Sequence, residues 1–317
     1  MTDLYQVVVK NRQVQGGNVA VMELASVGEQ ALPAIEAGAH IDVYLPNGLI
    51  RQYSLCQDPQ QAGIFRLGIL RDPESRGGSV CAFDQLSEGS TLQVSAPRNL
   101  FPLVSASHSV LVGGGIGITP LISMAYALLA QGQSFELHYC GSSAERCAFV
   151  EELQQGPLAP FTRFHFKVEG ASHREYLKQR LAELDRQAHL YTCGPNGFMD
   201  WLIDLAKSYD FTDEQVHKEY FQVEVDTAGE AFEVLAQRSN KLIQVAAEES
   251  ILDALAREGI KIEKSCEQGV CGTCLCDVLE GEPDHRDVYL TGEEKADNDQ
   301  ILVCCSRSKS SRLVLNI

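Results

Sequence analysis

A group of cysteines near the end of this 317-residue chain has the spacing of an iron–sulfur site. Cys266, Cys271 and Cys274 form a C-x4-C-x2-C pattern, and the adjacent Cys304 and Cys305 offer a distant fourth thiolate. This is the ligand pattern of a plant-type [2Fe–2S] cluster, which four cysteine thiolates hold. A zinc site is the alternative, but zinc ligands usually come as two paired groups. The pattern therefore favours a cluster and leaves the choice between Cys304 and Cys305 open.

Two segments of the N-terminal third carry residue types that suit a flavin. The segment RQYSL, residues 51–55, combines an arginine for a phosphate, a tyrosine for a flat ring and a serine for a ring nitrogen. The segment SRGGS, residues 75–79, offers glycines and backbone N–H groups for an anion. Each segment alone could be an ordinary strand or turn. Their occurrence together favours a flavin phosphate site.

Two further segments suit a nicotinamide cofactor. VGGGIGITP, residues 112–120, follows a strand and opens a helix, where backbone N–H groups can approach a pyrophosphate. Its glycine spacing does not fit G-x-G-x-x-G, so it is not the usual dehydrogenase fingerprint, and a tight strand-to-helix turn is the alternative. CGPNGFM, residues 193–199, follows a later strand and is expected at the ligand-binding edge of the sheet, or as a turn that starts a helix.

Three successive hydrophobic patterns predict the elements that position these motifs. Residues 1–103 contain short alternating segments separated by turn signals, which predicts a small antiparallel β-barrel. In residues 104–226 strands alternate with helices, which indicates a parallel α/β sheet. Residues 231–317 follow a linker and contain the cysteines and one clear helix after Ser250. The sequence therefore predicts three domains.

Charge and composition narrow the possible partners and location. The net charge of -17 argues against nucleic acid, whose phosphates need a basic surface. The eleven cysteines, an odd number, argue against a disulfide framework. We find no signal-peptide pattern and no long apolar run, so we expect a cytoplasmic protein without membrane contact. The acidic stretch Asp277–Asp299 is either a solvated face or a docking surface for a basic partner.

Taken in order, the motifs resemble those of the phthalate dioxygenase reductase family over essentially the whole chain. The matching segments are RQYSLC, DPESRGGS, SAPRNLFPL, GGGIGITP, ELHYC, CGPNGFM, CEQGVCGTC and VLEGEPDHRD. The resemblance implies an FMN-binding barrel, an NAD-binding α/β domain and a C-terminal β-grasp ferredoxin domain. It implies that hydride passes from NADH to FMN and that single electrons leave through the [2Fe–2S] cluster. The implied acceptor is a Rieske-type oxygenase acting on an aromatic or similar small substrate.

Other acceptors and another class of protein stay open. The same reductase chemistry could serve a cytochrome or another hydroxylase. A redox-sensing iron–sulfur flavoprotein is a further alternative, although it would not need RQYSL and CGPNGFM together. In the α/β region, the second expected strand, residues 135–139, leads into residues 141–143, Gly-Ser-Ser, which form no basic pocket for a 2′-phosphate. NADH is therefore expected over NADPH, with Arg146 as the residue that could reverse this preference.

The resemblance also implies roles for individual residues. The flavin phosphate and ring would be held by Arg51, Tyr53, Ser54, Gly77, Gly78 and Ser79, with Ser54 near N5. The nicotinamide cofactor would contact Gly114, Gly115, Thr119, Pro120, Cys193, Gly194 and Pro195, and Phe221 would cover the flavin. Ser54 and Cys193 would lie nearest the reacting atoms. The cluster ligands would be Cys266, Cys271, Cys274 and Cys304.

Overall fold

The computed structural model describes residues 3–28, 30–170 and 173–317, and it divides the chain into two units. The first unit ends at Phe221, and the second comprises residues 222–317. The first unit contains two of the expected sheets, and the second contains the cysteine-rich domain. Across these described ranges, every helix is too short or too polar to cross a bilayer.

The first sheet is a six-stranded antiparallel barrel. Its strands run in the order β4-β3-β6-β1-β2-β5. A bridge between Leu55 and Leu67 joins the two outer strands and closes the barrel. Alternate side chains point inward to form a core of Val, Ile and Leu. The strands are β1 Leu4–Gln15, β2 Val19–Ser26, β3 His40–Tyr44, β4 Ile50–Ser54, β5 Ile64–Leu70 and β6 Thr91–Ser95.

One helix, α1 (Gly78–Gln85), lies within the barrel module and was not predicted from the sequence. Its N-cap is Gly77, which has a φ of 83° and makes no side-chain capping bond. The segment SRGGS therefore leads into a helix N-terminus rather than an isolated turn. The free N–H groups of this first turn favour an anion.

The second sheet is parallel and has the order β11-β10-β7-β8-β9. The predicted alternation of strands and helices in this region is confirmed. The strands are β7 His108–Gly114, β8 Phe135–Gly141, β9 Thr162–Phe166, β10 Ala188–Cys193 and β11 Val216–Glu219. The helices are α2 Ile118–Ala130, α3 Val150–Gln155, α4 His173–Ala182 and α5 Asn196–Ser208.

The strand order reverses between β7 and β10, and this reversal locates the ligand crevice. From β7 the chain proceeds outward to β8 and β9, then returns to β10 on the other side. Helices after neighbouring strands then leave on opposite faces, so a crevice opens at the carboxyl ends of β7 and β10. The two nicotinamide motifs stand at these two strand ends.

The second unit has a five-stranded mixed sheet of order β13-β12-β18-β14-β16. Strands β12 and β18 are parallel, and α6 packs against the sheet in a β-grasp arrangement. The predicted N-cap of α6 is confirmed, since the Ser250 side chain accepts a hydrogen bond from the Asp253 N–H. The elements are β12 Phe232–Ala236, β13 Lys241–Val245, α6 Ile251–Arg257, β14 Leu275–Glu280, β15 Pro283–Asp284, α7 Gly292–Asp297, β16 Gln300–Leu302, β17 Arg307–Ser308 and β18 Arg312–Leu315.

Candidate functional site

Two side chains of β4 face the first turns of α1, as alternation along a strand predicts. An added Cβ on Gly78 would lie 2.7 Å from Arg51 Nε, so the guanidinium stem lies directly against the helix N-terminus. Tyr53 is half-buried, and its hydroxyl is buried with no hydrogen-bond partner among the described residues. A cation, free helix N–H groups and an unsatisfied hydroxyl fit a bound phosphate ester.

The Ser79 hydroxyl points elsewhere. It donates to Ser75 Oγ at 3.0 Å and accepts a hydrogen bond from the Asp72 N–H at 3.3 Å, and the Asp72 carbonyl lies 3.4 Å away. These bonds fix the loop that precedes α1. The structure thus brings Arg51, Tyr53, Gly77 and Gly78 together, whereas the Ser79 side chain is engaged with the loop.

Ser54 connects the barrel to the parallel sheet. Its hydroxyl donates a hydrogen bond to Glu219 Oε2 at 3.2 Å. Glu219 is the last residue of β11 and lies opposite Cys193 of β10, which in turn lies opposite Gly113 of β7. Three strand ends from two sheets therefore bring Ser54, Glu219 and Cys193 to one place. This place is the crevice at which the sheet order reverses.

The electrostatics of this place favour neutral, protonated groups. Burial of its carboxyl group raises the pKa of Glu219 to about 8, and the Ser54 hydrogen bond only partly opposes this shift. Burial, with Glu219 nearby, raises the pKa of the Cys193 thiol well above its usual value. Cys193 is fully buried, and a thiol in such surroundings stays neutral rather than forming a thiolate nucleophile. Glu219 can exchange a proton near neutral pH.

The glycine segment after β7 packs against the turn after β10. A Cβ on Gly194 would lie 2.9 Å from the Gly114 Cα, and a Cβ on Gly114 would lie 3.0 Å from Pro195 Cδ. Gly115, at φ 56°, has open space beside it. Only residues without a side chain permit this approach of two backbones, and the open edge fits a pyrophosphate.

The next residues of the motif face inward. The Thr119 hydroxyl donates to the Ile116 carbonyl at 3.0 Å, and its methyl group lies beside Gly68 of the barrel. Pro120 is buried in the first turn of α2. Both residues therefore support the glycine loop from its buried side and do not present polar atoms to the crevice. Phe221 follows β11 by two residues and packs half-buried against the core between barrel and sheet.

In the second unit the predicted cluster ligands are buried and form two thiol pairs. A hydrogen bond with Cys266 lowers the pKa of Cys271, and one with Cys274 raises the pKa of Cys304. No three His, Cys, Asp or Glu side chains within the described ranges converge as on a single metal ion. Two pairs suit a two-iron cluster, in which each iron takes two protein thiolates and shares two sulfides. These residues fit the implied cluster.

Cys305 differs from Cys304 in its surroundings. Its sulfur lies 3.8 Å from the Leu302 carbonyl and from Ser306 Oγ. A Cβ on Gly269 would lie 2.6 Å from that sulfur. Cys304 is thus the member of the pair that contacts Cys274, while Cys305 packs beneath the loop.

Comparison with known proteins agrees with this arrangement. Residues 234–309 match the family model described as a 2Fe-2S iron-sulfur cluster binding domain. The chain is 43% identical to vanillate O-demethylase oxidoreductase of Pseudomonas sp. (strain HR199 / DSM 7063), over 99% of this chain and 100% of that protein. The structure of phthalate dioxygenase reductase superposes with a TM-score of 0.75 at 35% identity, covering 99% of this chain and 98% of that one. An intact type IV self-sufficient cytochrome P450 monooxygenase matches with a TM-score of 0.87 at 34% identity, covering 99% of this chain and 41% of that one.

Fold, site and similarity together define an oxidoreductase that transfers electrons from a nicotinamide cofactor through a flavin and a [2Fe–2S] cluster. The chain belongs to the phthalate dioxygenase reductase family. The predicted resemblance and fold class are therefore confirmed: a flavin barrel, an α/β nicotinamide domain and a C-terminal ferredoxin domain.

Glu219 is the functional candidate that sequence reasoning missed. Strand β11 reads Val-His-Lys-Glu, which shows no clear alternation of apolar and polar residues. The available signal was an acid two residues before Phe221, an aromatic already assigned to the flavin. Glu219 is a candidate because it accepts a hydrogen bond from Ser54, which lies 165 positions away in the chain.

We expect Glu219→Gln to slow NADH-dependent ferricyanide reduction on the order of 100-fold, because the amide cannot take up a proton. The carboxylate is the active form of a proton acceptor, so the wild-type rate should rise as the pH increases through about 8. The variant should lack this rise. Steady-state rates between pH 5 and 10, at matched flavin content, test this. The exposed Glu214→Gln is the control, and an unchanged pH profile in Glu219→Gln would contradict the assignment.

Cys304→Ser should lose or distort the visible absorption of the cluster, because that thiol contacts Cys274. Cys305→Ser should retain the absorption spectrum, since its sulfur packs under the loop. Iron content and absorption of the two purified proteins provide the measurement. If Cys305→Ser loses the cluster and Cys304→Ser keeps it, the ligand assignment is wrong.

Proposed function

We propose that this protein takes hydride from NADH onto FMN and delivers single electrons through its [2Fe–2S] cluster to a Rieske-type oxygenase. The observation that carries the proposal is the Ser54–Glu219–Cys193 site, where the barrel edge meets the reversal point of the nicotinamide sheet. A flavin ring beside Ser54 and a nicotinamide beside Cys193 would meet there. The fused cysteine domain then offers a one-electron exit.

The reaction needs a place for a proton. Hydride carries one proton and two electrons, so a proton remains whenever both electrons depart. Glu219 can accept it at Oε2 through the Ser54 hydroxyl, whose Oγ is 3.2 Å away. We therefore assign Ser54 and Glu219 to proton handling and Cys193 to positioning of the nicotinamide. When bound, the flavin supplies the conversion of a two-electron donor into a one-electron donor.

We assign FMN to the barrel. Arg51 lies against the N-terminus of α1, where Gly77 and Gly78 leave backbone N–H groups free for a terminal phosphate. The unsatisfied Tyr53 hydroxyl adds one more donor to the same site. A single phosphate ester ending at this point matches FMN.

NADH is the favoured nicotinamide cofactor. Beyond β8, hydrogen bonds from its own backbone N–H and from Ser143 lower the pKa of Glu145. A carboxylate that stays ionised at this edge repels a 2′-phosphate and can accept hydrogen bonds from ribose hydroxyls. Within the short turn 144–146, the adjacent Arg146 is the only positive charge that could offset the Glu145 carboxylate.

We propose domain boundaries at 1–103 for the FMN barrel, 104–226 for the NAD domain and 231–317 for the ferredoxin domain. Part of the linker between the last two is attached to the ferredoxin domain. Arg286 donates to the Asp226 and Ala228 carbonyls, and Arg307 donates to the Glu230 carbonyl. Flexibility between the domains should therefore concentrate at the proposed end of the NAD domain, next to Asp226, and not in the residues after it.

A Rieske oxygenase acting on an aromatic or similar small substrate is the proposed acceptor. Relatives named for vanillate O-demethylase and phthalate dioxygenase support this choice. A cytochrome is the second candidate, because the matching P450 monooxygenase carries a similar region within its own chain. Some acids of the stretch 277–299 bind within the domain, as Asp284 does with Arg286, whereas Glu293 and Asp297 are exposed and available to a basic partner.

The full chain, NADH and a purified Rieske demethylase should together convert vanillate with product formation matched to NADH consumption. The physical reason is that the cluster supplies electrons singly, as the oxygenase accepts them. A purified P450 with its own substrate serves as the competing acceptor. Coupled turnover only with the P450 would replace the Rieske assignment by the cytochrome alternative.

A further inference from the structure

Asp287 is a buried carboxylate in the ferredoxin domain that has no role in the proposed function. The residue is 3% exposed, although it lies within the acidic stretch whose other members mostly face solvent. A carboxylate seldom occupies such a position unless its charge and hydrogen bonds are satisfied. Its surroundings therefore indicate what it does.

The Asp287 side chain organises the turn that follows it. Its Oδ2 accepts hydrogen bonds from the N–H groups of Tyr289 at 3.1 Å and Leu290 at 2.8 Å. Its Oδ1 accepts a longer bond from Ser306 Oγ at 3.4 Å. Ser306 is two residues beyond Cys304, so one carboxylate joins the turn 287–290 to the segment that carries the distal cluster ligand.

The same residue lies against the cysteine loop. Gly269, between Cys266 and Cys271, has a φ of 71°, and an added Cβ would lie 3.0 Å from the Asp287 Cα. The Gly269 carbonyl accepts a hydrogen bond from the Val288 N–H at 3.1 Å. Asp287 thus contacts both parts of the chain that supply the four thiolates.

A lysine and a histidine side chain are close to the carboxylate. Lys295 Nζ donates to the Asp287 carbonyl at 2.5 Å and lies 3.8 Å from Oδ2. His285 Nδ1 lies 3.8 Å from Oδ1, and neither ring nitrogen has a hydrogen-bond partner within the described ranges. The Asp287 carboxylate is therefore held beside the cysteine loop. The Lys295 ammonium group, 3.8 Å from Oδ2, balances only part of its negative charge.

We propose that Asp287 is a positioning residue that fixes the cluster loop against the distal ligand segment and, through its charge, lowers the reduction potential of the cluster. The inference rests on the proposed cluster ligands. Reduction adds an electron to the cluster, and a nearby buried negative charge opposes that addition. Lys295 opposes the effect of Asp287 and so raises the potential.

The test is a redox titration of purified full-length variants, followed by cluster absorption and EPR. Asp287→Asn keeps the size of the side chain and an acceptor oxygen for the turn, and should shift the midpoint potential upward. Lys295→Gln should shift it downward, because the carboxylate then has less compensation. Glu280→Gln removes an exposed acid of the same domain and should leave the potential unchanged, since water and salt screen exposed charges.

An upward shift in Asp287→Asn with a downward shift in Lys295→Gln supports the assignment, and unchanged potentials or any other combination of signs overturns it. If Asp287→Asn fails to hold a cluster, the sign of the Lys295→Gln shift decides. A wild-type protein without a cluster spectrum overturns both the proposed function and this inference. A normal wild-type spectrum with unmoved potentials overturns the inference alone.

Discussion

The hydrogen bond from Ser54 to Glu219 is the contact on which the proposed chemistry depends. It joins the end of a barrel strand to the end of a strand in the parallel sheet, 165 positions apart in the chain. The barrel must present the flavin at this edge, and the sheet must open its crevice at the same edge. The register between β7, β10 and β11 places Gly113, Cys193 and Glu219 side by side to meet that requirement. Burial of the carboxyl group then raises the pKa of Glu219 to about 8, so that the proposed proton acceptor can exchange a proton close to neutral pH.

The ferredoxin domain has a separate task, which is to hold the cluster, and it does so with buried cysteines and a glycine-containing loop. Four buried cysteines form two pairs, and the loop that carries three of them needs glycine where it passes Asp287 and Cys305. The surrounding charges are internal to the domain, as the pairs Asp284–Arg286 and Lys295–Asp287 show. The domain therefore controls the environment of its cluster with its own residues.

Much of this architecture could be predicted from sequence, because local patterns determine it. The alternation of short strands, the later alternation of strands and helices, and the cysteine spacing are all properties of neighbouring residues. Helix α1 was missed because its N-cap and its first residue, Gly77 and Gly78, are both glycines and no side chain caps it. The thiol pattern identified the cluster group, but only packing separated the surroundings of Cys304 from those of Cys305.

The residues that sequence reasoning missed depend on distant partners. Glu219 acquires its raised pKa from burial against the barrel, which strand β11 alone does not reveal. Asp287 sits in an acidic run that reads as a solvated face, and only the fold shows that it is buried. Ser79 and Thr119 have suitable side chains, but their hydroxyls bond to Asp72, Ser75 and Ile116 in their own loops. A sequence motif does not specify the direction in which such a side chain points.

Electrons from a nicotinamide cofactor should reach the cluster through the flavin within this single chain. Anaerobic addition of NADH to the full chain, followed by low-temperature EPR, measures this transfer. The EPR signal of a reduced [2Fe–2S] cluster should appear when flavin is bound, and it should be absent after the flavin has been removed. Bleaching of the flavin with no cluster signal, or a cluster signal that does not require flavin, would rule out this route.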